Sequence, residues 1–202
     1  MALAWHTTGA LSWERDIIIH ARRHPPPGVN HWPHLFQPAP FIVMTATLAI
    51  AALVDRRPRL AFAGAFGCLF AAFAAEDFLK PLVDSRQRPA RFYPADPVLH
   101  IGALTFPSAH VTAATAIAAF AWLLLRRYSG LAAFVFALPV VVAWAMVSLD
   151  LHYPRDVVGG FVLGSLVVFG SVAFATSVFG PDRARTRATD GRRAEPDPVG
   201  SS

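Results

Sequence analysis

Ser148-Leu-Asp-Leu-His-Tyr-Pro-Arg-Asp156 is a polar knot with a long apolar run on either side. Within it His152 and Asp156 stand four residues apart. At that spacing a carboxylate can accept a hydrogen bond from one imidazole nitrogen, fix the tautomer and leave the other nitrogen to attack or to transfer a proton. The same pair also reads as a buried structural His–Asp contact, and the segment in isolation does not choose between the two. The setting does more to decide, because two further polar knots also sit where hydrophobic segments begin or end.

The composition says what kind of solvent surrounds those segments. Of 202 residues, 54% are hydrophobic and 15% charged, and the mean hydropathy is +0.43. This is the balance of an integral membrane protein with one membrane domain. The formal net charge is +5. Much of the arginine lies in short clusters between apolar runs and near the C-terminus, which is positive-inside patterning and not a nucleic-acid-reading face. A single cysteine, Cys68, lies in an apolar run and reads as a small buried apolar residue. No basic segment leads directly into an apolar stretch at the N-terminus, so the sequence there reads as mature chain.

Taken in order, residues 1–37 form an N-terminal segment in which Ser12 to Arg23 is expected to be a short helix lying in the membrane interface. Trp13, Ile17 and Ile18 would share one side of it, with Arg15, Arg22 and Arg23 elsewhere. Pro25-Pro-Pro-Gly28 ends it, and Trp32 and His34 read as interfacial residues. Residues 38–180 form the membrane-embedded domain, an all-α bundle of about five transmembrane helices. The spans are expected at Pro38–Val54, Leu60–Leu79, Phe106–Leu125, Leu131–Leu149 and Val157–Phe179. Residues 181–202, rich in Arg, Asp and Pro, read as a disordered tail. Basic clusters at 55–59, 126–127 and 183–193 belong in the cytoplasm by the positive-inside rule, which turns the polar knots outward. Glycines 64, 67, 159, 160, 164 and 170 recur in the spans, where small residues permit close helix packing.

The first of the other knots is Lys80-Pro-Leu-Val-Asp-Ser-Arg-Gln-Arg-Pro89. Lys80, Arg86 and Arg88 offer a point charge and planar forks suited to phosphate oxygens. Flanking basic residues that anchor a helix end in lipid headgroups are the plainer account of the same residues. Glu76, four residues before Lys80, reads either as its helix-end ion partner or as part of a site. The second knot is Thr105-Phe-Pro-Ser-Ala-His110, opening a span. Pro107 suits a first helical turn, and Ser108, Ala109 and His110 would present backbone N–H groups to an anion there.

The order Lys…Arg-Pro, then Pro-Ser-small-His, then His-x-x-x-Asp, each at a span boundary, resembles the type-2 phosphatidic acid phosphatase superfamily. That superfamily includes lipid phosphate phosphatases and undecaprenyl diphosphate phosphatases. The likeness covers about residues 60–179, and His-Tyr-Pro-x-Asp-Val-x-Gly-Gly at 152–160 is its most telling piece. The resemblance implies His152 as the nucleophile that takes the phosphoryl group, Asp156 orienting it, and His110 protonating the leaving oxygen. It implies Lys80, Arg88 and Ser108 as phosphate ligands, with Arg86 and the backbone of Ala109 beside them. No metal or other cofactor is required for that chemistry, which rests on positioning and cationic stabilisation of the phosphoryl oxygens.

Three positions depart from the family pattern. Seven residues, not six, separate Lys80 from Arg88, and Ala109 stands where glycine is usual. Ala145-Met146 replaces the Ser-Arg that normally precedes the nucleophilic histidine, the arginine by six residues. Losing one such donor typically costs about 100- to 1000-fold in rate. Arg86, Arg91 and Arg155 are candidates to replace it. Asp150, Asp84 and Asp77 bring acid near the site and define a metal alternative, Mg²⁺ held between carboxylates and a diphosphate.

The expectation is therefore a multi-pass plasma-membrane phosphatase that hydrolyses a lipid phosphate or polyprenyl diphosphate through a phosphohistidine. Its site would face outward and its tail the cytoplasm. Its partners are the substrate lipid and the bilayer, with no nucleic acid. Two other readings keep the fold: a metal-dependent prenyl diphosphate transferase or cyclase, and a non-catalytic lipid-binding subunit.

Overall fold

The computed structural model describes residues 12–29, 38–83, 105–126, 128, 130 and 134–180, and among them the chain is helical with no strand. Helix α1 is Ser12–Arg23, α2 Pro38–Val54 and α3 Pro58–Phe73. A π-helical turn, Ala74–Leu79, carries α3 into the short α4, Lys80–Val83. Then follow α5 Ala109–Leu125, α6 Ala137–Ser148 and α7 Pro154–Phe179.

Two of these are long and apolar enough to cross a membrane: the continuous 26-residue rod Pro58–Val83 and the 26 residues of α7. At 1.5 Å per residue each spans about 39 Å. Helices α2, α5 and α6 are apolar but shorter. What makes them membrane-like is where the large side chains point. Phe62, Phe66, Phe70 and Phe73 form a ladder along the outside of α3, and Val158, Val162, Leu166 and Phe174 lie outward on α7. A water-soluble bundle would leave such continuous apolar faces covered.

The interior is built on small residues. Helix α7 lies against both α5 and α3. A Cβ on Gly164 would come within 2.4 Å of the Thr112 carbonyl oxygen, and one on Gly160 within 2.9 Å of the Ser108 carbonyl. The pair Gly160-x-x-x-Gly164 thus lets two backbones meet with no side chain between them. Gly64 receives the ring of Phe120, Gly159 that of Phe106, and Gly67 lies against Val168. Gly170 has nothing near its missing Cβ, so close packing does not account for that glycine.

Polar ties at one end show which way the helices run. Arg57 donates to the carbonyls of Leu123 and Leu124 at the C-terminus of α5, and Arg59 to Gly180 just past α7. The start of α3 therefore shares an end of the bundle with the finishes of α5 and α7. The opposite end holds Lys80, the start of α5 and the start of α7, which are the three places where the polar knots fall.

Several expected boundaries move. Helix α5 begins at Ala109 and not at Phe106, because Ser108 is its cap. Pro107 consequently precedes the cap and is not in the first turn. Helix α6 is the 12 residues Ala137–Ser148 where a span from Leu131 to Leu149 was expected. Helix α7 starts at Pro154, three residues before the expected Val157, which brings Asp156 into its first turn. The bounds of α1 match, but its faces do not. Glu14, Ile18 and Ala21 point into the bundle, while Trp13 and Ile17 are exposed. Trp32, His34 and the tail 181–202 lie outside the described residues, as do Asp84, Arg86, Arg88 and Arg91.

Candidate active site

Lys80 is placed by an irregularity in its helix. The inward residues of α3 recur at helical spacing through Gly64, Gly67, Cys68 and Ala71 to Ala74 and Ala75. In an unbroken α-helix, nine residues at 100° each would put Lys80 about 180° from Ala71, facing outward, and Phe78 would face in. The π turn adds a residue, and the Lys80 N–H bonds the Ala75 carbonyl five residues back. Lys80 is in consequence 3% exposed, while Phe78 is 58% and Leu82 68% exposed. Single π turns within α-helices are frequent at functional sites for this geometric reason. The Lys80 ammonium pairs with Glu76, itself half-exposed, so the ion pair read from the i,i+4 spacing is formed.

This makes a specific expectation. Exchanging the two residues, Leu79→Lys with Lys80→Leu, keeps the composition but turns the ammonium away from the bundle. Activity should fall about 100-fold, as for loss of an oxyanion donor, to the level of Lys80→Met. Wild-type turnover in the exchanged protein would show that the π turn does not set the position of the charge.

The second knot is joined to the third by backbone. Ser108 caps α5, its hydroxyl accepting from Val111 N–H at 3.5 Å, and its own N–H donates to the Asp156 carbonyl at 3.0 Å. Its carbonyl accepts from the hydroxyl and N–H of Thr112. Ser108 is fully buried and serves as cap and joint here, which leaves Ala109 and His110 as the first two residues whose N–H groups point out of the helix start. His110 is half-buried beside the ring of Phe41 on α2.

In the third knot His152 and Asp156 are both buried. Asp156 is the third residue of α7, and its Oδ2 accepts from Tyr153 N–H at 2.9 Å, closing one half of a capping box. The same Oδ2 lies 3.7 Å from His152 Nδ1, within ion-pair range but longer than a hydrogen bond. The backbone ahead of His152 turns sharply: Asp150 has φ 58°, and the Met146 carbonyl accepts from both Leu151 N–H and His152 N–H. Met146 itself is wholly buried in an apolar cluster with Ile18, Ala21, Val111, Leu151 and Tyr153.

Sequence reading missed what α1 does at this loop. Glu14, fully buried, pairs with Arg155 at 3.0 Å, and its other oxygen accepts from Arg155 N–H at 3.4 Å. Arg22 pairs with Asp150 at 2.8 Å. Trp144 donates its indole N–H to the His24 carbonyl. Partners separated by 141 and 128 residues leave no local pattern to find. Removing one partner of a buried pair such as Glu14–Arg155 costs about 3 to 5 kcal/mol, because a charge is stranded. Arg155 also lies over the Tyr153 ring, its guanidinium carbon 5.4 Å from the ring centroid. Asp150 is held by Arg22, and Asp77 is exposed on the π turn. Among the described residues no three acids, histidines or cysteines gather as metal ligands.

The chain matches the PAP2 superfamily over residues 60–178. It is 38% identical over 149 residues to decaprenylphosphoryl-5-phosphoribose phosphatase from two strains of Mycobacterium tuberculosis, covering 72% of this chain and 76% of the relative. Its fold is similar to the crystal structure of a transmembrane PAP2 type phosphatidylglycerolphosphate phosphatase from Bacillus subtilis. The TM-score is 0.70 and the identity 22%, covering 88% of this chain and 91% of that one. With Lys80, the Ser108–His110 cap and the His152–Asp156 pair at one end of an all-helical bundle, the chain belongs to the PAP2 superfamily.

Proposed function

We propose that the protein is an integral membrane phosphatase that removes a terminal phosphate from a polyprenyl-linked phosphate lipid, a prenyl-linked sugar phosphate being the leading choice. The observation that carries this is the convergence of a buried cation, a helix start and a buried His–Asp pair at the end of the bundle away from the 55–59 basic cluster. The substrate class rests on the relative whose name specifies a decaprenylphosphoryl-phosphoribose.

In this mechanism the substrate phosphate sits against the Lys80 ammonium and the N–H groups that open α5. Arg86 and Arg88, which follow Lys80 in the sequence, add charge. His152 attacks phosphorus through Nε2, its Nδ1 side facing Asp156. The P–N bond forms as the bond from phosphorus to the leaving oxygen breaks, and His110 gives that oxygen its proton. Water then attacks the phosphohistidine, giving up a proton to His110 and releasing inorganic phosphate. The asymmetry of the bundle supports an outward-facing site: basic residues at 55–59 mark the other end as cytoplasmic.

The test is phosphate release by purified protein from a panel containing a polyprenyl-linked sugar phosphate, a polyprenyl diphosphate, phosphatidic acid and phosphatidylglycerol phosphate, with and without EDTA. Release unaffected by EDTA and fastest with a polyprenyl-linked lipid is expected. Release from none of them would overturn the proposal in favour of a lipid-binding subunit. A Mg²⁺-dependent hydrocarbon or alcohol product would assign the chain to prenyl transfer or cyclisation.

A further inference from the structure

We propose that α1 is the positioning element of the nucleophile loop, and that Met146 is part of its docking surface. The inference rests on the reading of His152 as the attacking residue. Three observations that look separate along the sequence become one arrangement. Met146, where the family arginine is absent, is fully buried in the apolar cluster that also holds Ile18 and Ala21 of α1, and α1 packs on the helix that carries Met146. Asp150, an added acid two residues before His152, is neutralised by Arg22 of the same helix. Arg155, three residues after His152, is held through side chain and backbone by Glu14, again of α1.

The stretch 150–155, a loop and the first two residues of α7, is thus gripped on both sides of His152 by one helix. Asp150 sits at φ 58°, in the left-handed region that aspartate enters more readily than most non-glycine residues. A histidine whose ring must meet phosphorus in line depends on such restraint, since misplacement by about 1 Å can cost roughly 100-fold in rate. An arginine at position 146 would put a charge beneath Ile18 and Ala21 and displace the helix. Apolar contact at 146 and ionic contact at 150 and 155 therefore belong together. Glu14 and Arg22 act through His152 and are positioning residues.

Two variants are made in full-length protein: Glu14→Gln and Arg22→Gln. A purely structural role would lower the unfolding temperature and leave kcat of the folded fraction unchanged. The positioning role predicts kcat lower by about 10- to 100-fold with KM little changed. Arg22→Lys, which keeps the pair with Asp150, should recover most of the loss seen in Arg22→Gln.

A second measurement does not depend on turnover. Carbethoxylation of His152 by diethylpyrocarbonate, read by peptide mass spectrometry against His110 in the same molecule, should be slow in the wild type and faster in both variants. Wild-type kcat together with unchanged His152 labelling in Glu14→Gln and Arg22→Gln would overturn the proposal. If the wild type releases phosphate from no lipid, the phosphatase reading fails by itself, and the labelling rates still decide whether α1 restrains the loop.

Discussion

His152→Ala is expected to abolish phosphate release, lowering kcat by at least about 10⁴-fold, the scale seen when a nucleophile of a cooperative catalytic set is removed. His152 is 1% exposed, so the substitution also empties a buried volume. Core truncations of this kind cost about 2 to 5 kcal/mol. Against a typical stability of about 5 to 15 kcal/mol, most molecules stay folded, and lost structure cannot account for lost turnover. The comparison is therefore made at matched folded fraction, by thermal unfolding of both proteins in the same detergent. Asp156→Asn is the informative companion. An asparagine oxygen still accepts from Tyr153 N–H and keeps the α7 cap, while the charge 3.7 Å from His152 Nδ1 disappears. Its turnover should fall less than that of His152→Ala, with folding nearly intact. Full turnover in His152→Ala would remove the phosphohistidine mechanism altogether.

The largest stability effect is expected at Gly164. Its place is set by backbone, since a Cβ there would stand 2.4 Å from the Thr112 carbonyl oxygen and 3.0 Å from Ala116 nitrogen. Neither atom can rotate away as a side chain would. Overpacking a core ordinarily costs about 1 to 3 kcal/mol, and a clash between two helix backbones lies at or above the top of that range. Gly164→Leu should force α7 off α5 and fail to yield folded protein, and Gly164→Ala should unfold at clearly lower temperature than wild type. Gly170→Ala is the control: nothing lies within 4 Å of the added atom, so its unfolding temperature should not fall and should rise slightly, alanine being the better helix former by about 0.5 to 1 kcal/mol. Equal stabilities for Gly164→Ala and Gly170→Ala would contradict the close α5–α7 contact. Activity should follow, because the contact that Gly160 and Gly164 permit also sets the Ser108 to Asp156 backbone bond that joins the second and third knots.

Much of this was legible in local chemistry. Uncharged runs bounded by proline and basic residues give helices in lipid, because backbone groups there have to be satisfied within the segment. The ends of α2 follow from that reading to the residue, and those of α1 from its Ser12 start and the Pro25-Pro-Pro-Gly28 stop beyond it. The three knots were legible because each combines residue types that phosphate chemistry needs and apolar spans do not. The boundaries of α5 and α7 were less so, since proline at 107 and at 154 occupies different places relative to its helix, outside the cap in one and first in the helix in the other. Lys80 was identified by its chemistry, but its inward direction comes from a π turn whose residues, Ala-Ala-Glu-Asp-Phe-Leu, carry no mark of it.

The His152-to-Asp156 spacing, the Pro-Ser-Ala-His run and the apolar spans determined the helical fold class and the family, because each is a property of neighbouring residues. Only the tertiary structure decided what Met146 means. In the sequence it is a missing cation. In the folded protein it is buried in the apolar cluster that takes in Ile18 and Ala21 of α1, with Asp150 and Arg155 answered by Arg22 and Glu14 from more than a hundred residues away. Such pairs form when helices dock, and docking here is set by which faces are smooth enough to touch. No pattern within one segment records that.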